Sequence, residues 1–385
     1  MKSCSKVHNS KQNKRDRLSV EVNRVFRKER HTVVFDVGSS TIKMIKGYIK
    51  EEIINIEHYR IFPIPQGTVQ EGKVVDKKGL SEELCKLKIK ASDIRLLLSS
   101  KDIILRTFQL PKMELSEVRQ AVKFEMSVLL PDEIENYIVD GVVMSEYKEA
   151  SEEDQTLNMY EVQGIAVERK TVTDYVDCFS KAGFKINVVD VQPNAISKLL
   201  CHDSLYLRKM NGTVLKNQNI AVLDIGYEKT SITFIEDKKI FIYKILNKGG
   251  RDFTKAIAKD FHMSFQEAEE WKLDDPFSSM KKEEFKGKEE VNNLLLEIIQ
   301  ELTQLMEFFE SMCKDKRIDY ILLLGGGSLM PICKKYIESA LQVETECFFA
   351  LHSICIKELH PANHITLLAN AIGALVRREK KNGRY

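Results

Sequence analysis

Val33-Val-Phe-Asp-Val-Gly-Ser-Ser-Thr-Ile-Lys-Met-Ile-Lys-Gly47 decides how this chain is read, because Ile220-Ala-Val-Leu-Asp-Ile-Gly-Tyr-Glu-Lys-Thr-Ser-Ile-Thr-Phe234 repeats its plan 188 residues later. Each stretch is an apolar, β-branched run, then Asp-x-Gly with polar residues, then a second alternating run. That pattern predicts strand, tight turn, strand. A glycine two residues past the aspartate permits φ > 0 and close approach of backbone N–H groups to an anion, and the Ser and Thr hydroxyls add donors. One such hairpin arises by chance in many proteins. Two, similarly placed in what read as two halves, put Asp36 and Asp224 on opposite sides of a cleft, a geometry suited to a hydrated Mg²⁺ against phosphates. The alternative, two ordinary hairpins in a duplicated fold, predicts no ligand.

At 385 residues the chain exceeds the usual limit of one core, so two domains or a bilobed body are expected. The composition, 43% hydrophobic and 30% charged, is that of a globular protein, and no apolar run approaches a bilayer span. The first residues lack the apolar core of a signal peptide, which predicts a cytosolic protein. Net charge is +2, yet residues 1–30 carry ten Lys/Arg against three Asp/Glu, leaving about −5 for the rest. The basic excess is a property of that tail, which reads as a solvated extension, and it argues against nucleic acid as a partner of the body. The eight cysteines form no Cys-x-x-Cys pair, so reduced thiols are expected. Cys347, His352, Cys355, His360 and His364 match no common zinc spacing and sit among core-type residues.

Between the hairpins, residues 51–64 read as a strand, 67–76 as a turn-rich connector and 80–87 as a helix with Ser81 as a candidate cap. Residues 94–186 read as an inserted strand, helix, strand, strand, helix block. Its first helix carries Leu115, Val118, Val122, Met126 and Leu129 on one face, and its last ends at Gly183, suited to an αL cap. Val188-Val-Asp-Val-Gln-Pro then feeds a helix with proline at its start. In the second half, Lys248-Gly-Gly-Arg-Asp-Phe-Thr254 opens a helix with N–H groups available to an anion. Ser264-Phe-Gln-Glu267 has the spacing of a capping box, and Val291 to Met312 stripe one long helix.

Tyr320-Ile-Leu-Leu-Leu-Gly-Gly-Gly-Ser-Leu-Met-Pro331 is a buried strand running into three glycines, with Ser328 a candidate helix cap. In open α/β sheets ligands bind beyond the carboxyl ends of strands. Three glycines in a row weaken local order, a cost explained if a flat base must touch the backbone. The spacing is not Gly-x-Gly-x-x-Gly, which argues against a dinucleotide site. A last helix carries Ala369, Ala371, Gly373 and Ala374, small residues that permit close packing.

Together the two Asp-x-Gly hairpins, the Gln-Pro helix start, the Gly-Gly-Gly-Ser loop and the terminal Ala-x-Gly helix resemble the actin, hexokinase and Hsp70 ATPase superfamily over most of residues 33–377. Within it, Leu110-Pro-Lys-Met and Phe124-Glu-Met-Ser-Val-Leu-Leu-Pro131 resemble the type IV pilus assembly protein PilM family, a relative of FtsA. The resemblance implies an α/β, actin-like (ribonuclease H-like) bilobed fold with an inserted strand-helix-strand-strand subdomain in the first lobe. It divides the chain into a basic tail (1–30), a first lobe (31–93 and 187–215), the inserted partner-binding block (94–186) and a second lobe with nucleotide motifs (216–385). It implies ATP and Mg²⁺ in the cleft. Asp36, Gly38, Ser39, Ser40, Thr41 and Lys43 match the first phosphate motif, and Asp224, Gly226, Lys229 and Thr230 the second. Gly325, Gly326, Gly327 and Ser328 match the adenosine motif, and Gly249, Gly250 and Thr254 a helix start near the ribose. Asp36 and Asp224 would hold Mg²⁺ through water, and Gln192 stands where relatives position an attacking water. The resemblance further implies a place on the cytoplasmic face of the inner membrane, held by the N-terminal peptide of a PilN-like bitopic protein, with other platform proteins and self-association as further contacts.

Two departures bear on chemistry. Glu228, in the second hairpin, would repel a γ-phosphate unless it turns outward. Gln192 replaces the glutamate common in PilM-like chains, and an amide is no strong base, so slow or no hydrolysis is expected. An FtsA-like division protein and a small-molecule kinase are the rival readings. The first would carry an amphipathic C-terminal helix, which residues 377–385 lack, and the second needs a catalytic aspartate, of which none stands out.

Overall fold

The structure is a computed structural model that describes residues 31–89, 91–150, 156–202, 219–273, 289–313, 316–348, 354–357 and 364–377. The basic tail, most of the stretch before Asn219, the charge run at 281–288, His352, His360 and the residues after Arg377 lie outside the described residues.

The described residues open with β1 (Thr32–Val37), β2 (Thr41–Lys50) and β3 (Ile53–Pro63), followed by a small hairpin of β4 (Val69–Gln70) and β5 (Lys73–Val74), helix α1 (Lys77–Cys85) and β6 (Asp93–Leu98). Next come β7 (Ile104–Pro111), α2 (Leu115–Ser127), β8 (Tyr137–Ala150), β9 (Thr156–Glu168), α3 (Arg169–Lys181), β10 (Val188–Val191) and α4 (Gln192–His202). The second half holds β11 (Ile220–Ile225), β12 (Thr230–Glu236), β13 (Lys239–Leu246), α5 (Gly250–Asp260), α6 (Phe265–Leu273), α7 (Glu289–Met312), β14 (Tyr320–Leu324), α8 (Pro331–Leu341), β15 (Glu344–Cys347), β16 (Ile354–Ile356) and α9 (His364–Leu375).

The two halves repeat one topology. The first sheet runs β10-β6-β1-β2-β3-β16 and the second β13-β12-β11-β14-β15. In each, an antiparallel hairpin begins at the central strand and the strands on its other flank are parallel: β6 to β1 and β10 to β6, β14 to β11 and β15 to β14. Central strands buried on both faces need unbroken apolar runs, and β1 and β14 supply them as Val33-Val-Phe and Tyr320-Ile-Leu-Leu-Leu.

One face of the first sheet packs Val33 and Phe35 against Leu80 and Leu84 of α1 and Tyr175 and Phe179 of α3. Phe35 and Phe179 meet edge to face, with centroids 5.0 Å apart. Each buried ring contributes about 1.5–3 kcal/mol by leaving water. The other face belongs to both lobes at once. Val34 and Ile45 from the first sheet and Val222 and Leu322 from the second join one cluster through Ala195 and Ile196 of α4 and Leu368, Ala371 and Ile372 of α9. A Cβ on Gly373 would fall 2.1 Å from the Ala195 carbonyl oxygen, so the small residues near the C-terminus let α9 lie directly on α4. This helix pair is the layer through which the lobes share a core.

The block read as 94–186 divides. Strand β6 sits inside the first sheet, between β1 and β10, and α3 covers that sheet. What remains is a three-stranded sheet, β7-β9-β8, on which α2 lays Val118, Val122 and Met126 over Leu110, Val162 and Ala166. Strands β8 and β9 form a long antiparallel pair, with Glu146 opposite Tyr160. The end of the region read as second lobe returns to the first, where β16 pairs in parallel with β3. Two predicted caps are corrected. Asp76, not Ser81, caps α1 by accepting from Gly79 N–H, and α8 starts after Met330 rather than at Ser328. The box between Ser264 and Glu267 forms as read, each side chain accepting from the other's backbone N–H. Among the described residues no helix is long and apolar enough to cross a membrane.

Candidate functional site

The two hairpin turns close with the same hydrogen bond: Gly38 N–H to Thr41 O at 3.0 Å, and Gly226 N–H to Lys229 O at 2.9 Å. Their strands' registers set Asp36 opposite Lys43, but Asp224 opposite Ser231. The first aspartate therefore has a cation beside it, Lys43 Nζ at 3.4 Å, while the second faces a serine across its hairpin. Both carboxylates line one cavity between the lobes. Lys43 serves both: burial works to lower its pKa, but Asp36 and then Asp224 outweigh it and hold the ammonium above its ordinary value. Burial raises the Asp224 carboxyl above its ordinary range, although Lys43 opposes the shift.

Of the residues marked in the sequence, Asp36, Gly38, Ser39, Ser40, Thr41, Lys43, Gln192, Asp224, Gly226 and Lys229 line this cavity. Thr230 does not, since it is fully buried and its hydroxyl donates to Lys248 O at 2.7 Å. Gln192 is held at both ends. Its Oε1 accepts from Ser99 Oγ at 2.6 Å, and its Nε2 donates to Asp224 Oδ2. Behind it, Asp190 accepts from Asn194 Nδ2 at 2.8 Å and pairs with the buried Lys198 at 2.5 Å, which fixes the start of α4. Lys229 crosses to the first lobe and donates to Ser99 O at 2.5 Å, with its pKa pushed down to about 8 by burial.

Glu228 also lines the cavity, but its carboxylate is engaged by other groups. Its carboxylate accepts from Arg251 Nη1 at 3.0 Å and from the backbone N–H of Glu71 at 3.0 Å. Ser99, Asn370, Gly72 and Ser231, which also line the cavity, carried no mark in the sequence. They come from separate strands, turns and a helix, and no local pattern joins them.

The glycines have reasons of their own. A Cβ on Gly325, where φ is +77°, would fall 2.3 Å from Asp224 Oδ1, and one on Gly327 would fall 2.2 Å from Ile225 Cγ2. These two are required for the loop to lie on the end of β11, and of the three only Gly326 has room for a Cβ, whose nearest neighbour would be Leu367 Cδ2 at 3.9 Å. Ser328 Oγ turns back to Gly325 O at 2.6 Å. The N–H groups at the start of α5 are not free either: Gly250 and Arg251 donate to Gly226 O and Tyr227 O, and Gly249 to Asp252 Oδ2. Beside them the buried Lys272 donates to Gly250 O at 3.0 Å, Thr254 Oγ1 at 2.7 Å and Glu269 Oε2 at 2.7 Å. Sequence reading missed this lysine, since Glu and Lys three apart on a helix are commonplace.

A model of the family described as type IV pilus assembly protein PilM matches residues 34–373. The chain belongs to that family. Among solved structures, it is similar to a chain of the PilM-PilN type IV pilus biogenesis complex, at 25% identity and a TM-score of 0.73, over 91% of this chain and 98% of that one. Among curated proteins, cell division protein FtsA of Bacillus subtilis (strain 168) is 22% identical over 259 residues, 62% of this chain and 56% of the relative. The chain thus spans little more than half the length of that relative. The PilM family and the doubled sheet topology agree on an actin-like fold.

The residues lining this cavity fit a nucleotide with its cation. Two partly buried lysines and two aspartates share one cavity, and the buried Asn370 Oδ1 there has no partner.

Proposed function

We propose that this protein is an ATP-binding, actin-like scaffold of a type IV pilus inner-membrane platform, which also binds the cytosolic N-terminal peptide of a PilN-like bitopic protein. The single observation that carries the nucleotide half is the meeting of Asp36, Lys43 and Asp224 in one cavity rimmed by two matching hairpins. Ser39, Ser40 and Thr41 with Lys43 and Lys229 would hold phosphates, and Asp36 and Asp224 a hydrated Mg²⁺. Gly326 would lie against the base, and the helix start at Gly249, Gly250 and Thr254 would stand near the ribose as a support, since its N–H groups and the Thr254 hydroxyl are already engaged. Bound ATP with Mg²⁺ supplies a polyanion and a cation that both lobes can grip.

Binding rather than turnover is the better use of this site. Gln192 has both ends of its amide engaged by Ser99 and Asp224, which leaves it poorly placed to orient a water. Asp36 and Asp224 are the only aspartates lining the cavity among the described residues, and the third carboxylate there, Glu228, is engaged by Arg251 and the Glu71 N–H, which disfavours it as a kinase's catalytic base.

The partner half is supported by family membership and by similarity to the PilM-PilN complex. Such a partner would place the protein at the cytoplasmic face of the inner membrane, where other platform proteins and further copies of this chain could join it. Calorimetry tests both halves, with ATP·Mg²⁺ and with a synthetic N-terminal peptide of the co-encoded bitopic protein. Saturable binding of each is expected. No heat at high micromolar concentration would overturn the half concerned.

A further inference from the structure

Asn370 is an odd residue for its place. Helix α9 is otherwise a core element whose neighbours Ala369, Ala371 and Ile372 are fully buried, and Asn370 itself is 7% exposed. Its Nδ2 donates to Asp224 Oδ2 at 2.5 Å, the same oxygen that accepts from Gln192. Its Oδ1 is buried without a hydrogen-bond partner. Turning the amide over would only set two oxygens against each other. A buried polar atom left bare is destabilising, so it needs a reason, and it lies in a residue that lines the cavity of both aspartates.

We propose that Asn370 is a positioning residue for the divalent cation that accompanies a bound nucleotide. Its Nδ2 fixes Asp224, and its Oδ1 accepts a hydrogen bond from a water in the cation's hydration shell. The inference rests on the nucleotide reading of the cleft. Mg²⁺ sheds water reluctantly and binds with several waters retained, each a strong O–H donor that needs an oriented acceptor. A neutral amide carbonyl meets that need without adding a third negative charge beside Asp36 and Asp224. Outer-shell partners of this kind tune metal affinity by about 10- to 100-fold.

The test compares the full chain with Asn370→Leu and Asn370→Asp. ATP affinity is measured by calorimetry with Mn²⁺ and with EDTA, and bound Mn²⁺ is counted by its electron paramagnetic resonance signal. The ratio of affinity with metal to affinity without should fall about tenfold in Asn370→Leu, which has no acceptor. It should rise in Asn370→Asp, which loses the donor to Asp224 but keeps the acceptor and adds a charge that the cation offsets. If both variants move the ratio the same way, or neither moves it, the residue serves only the fold and the proposal is overturned. Should Asn370→Leu fail to fold, the near-isosteric Asn370→Asp decides alone. An unsubstituted protein that binds no ATP with or without metal would instead overturn the reading of the cleft, a separate result.

Discussion

The Glu71 backbone N–H donates to the Glu228 carboxylate at 3.0 Å, tying the tip of the β4–β5 hairpin in the first lobe to the second hairpin turn in the other. Glu71 sits at φ +51°, and its own carboxylate pairs with Lys101, so the loop is held in a conformation that side chains rarely adopt. Arg251 completes the latch from α5, at 3.0 Å from Glu228. Removing the carboxylate leaves the Glu71 N–H and the Arg251 guanidinium, whose Nε already lacks a partner, without their acceptor. Glu228→Ala should therefore cost about 1–3 kcal/mol in denaturant unfolding. The same change should abolish slow hydrogen exchange at the Glu71 amide. Unchanged protection there would show that the latch is not what holds the lobes at this point.

Lys229 gives the cleft a pH dependence. Burial lowers its pKa to about 8 from an ordinary value of 10.5. Between those values the unfolded chain binds more protons than the folded one, so this group makes stability rise with pH there. Below about pH 8 the folded state carries the buried charge at its full cost. A polyphosphate favours the charged form, so the sign for binding is opposite: ATP affinity should fall as pH rises through about 8. Lys229→Met should bind more weakly at pH 7 and lose that slope. Titrations from pH 7 to 9.5 check both, and a slope that survives the substitution would assign it to another group.

What could be read in the sequence was what is local. The two hairpins, the helix start at Gln192-Pro193 and the capping box at Ser264 are each specified by residues a few positions apart. Asp36, Lys43 and Asp224 were legible for the same reason, as parts of those hairpins. Membership of β6 in the first sheet was not legible, because its parallel pairing with β1 joins residues about sixty positions apart and an apolar run does not name its neighbours. The same holds for Ser99, Glu71 and Asn370, which reach the site only through the packing of β6, the small hairpin and α9. Of the three consecutive glycines, Gly325 and Gly327 are required by the fold itself. A missing side chain shows in a sequence, but whether ligand or backbone fills the space shows only in the fold.

The triple glycine can be dissected by a paired substitution. Gly325→Ala places a Cβ 2.3 Å from Asp224 Oδ1 on a backbone with φ +77°, so the loop or the carboxylate must move. Destabilisation above about 1 kcal/mol is expected, from the left-handed conformation alone. Gly326→Ala meets only Leu367 Cδ2, at 3.9 Å, and should leave unfolding within about 0.5 kcal/mol of the parent. If a base lies against this backbone, the second variant should lose ATP affinity while keeping its stability. Equal stability losses in the two would mean that the loop tolerates or refuses a Cβ throughout, against the geometry.

Gln192 separates binding from turnover. Ser99 Oγ donates to its Oε1, so the amide is oriented with Nε2 on Asp224, and neither end is left to draw a water toward a phosphate. Steady-state phosphate release should stay below about 1 s⁻¹, the low end of enzymatic rates. Gln192→Glu would restore a carboxylate that could act as a base, but it would also remove the donor to Asp224 and set a second buried negative charge beside it. A stability loss of about 1–3 kcal/mol is expected from that broken contact. Because Asp224 already has its pKa raised by burial, the added charge should raise it further, and the loss should shrink as pH falls and one of the pair takes up a proton. Denaturant titrations at neutral and acidic pH read both effects. A variant as stable as the parent at neutral pH would show that Asp224 does not depend on the Gln192 amide, and phosphate release well above 1 s⁻¹ from the parent would show that the amide is free to orient water after all.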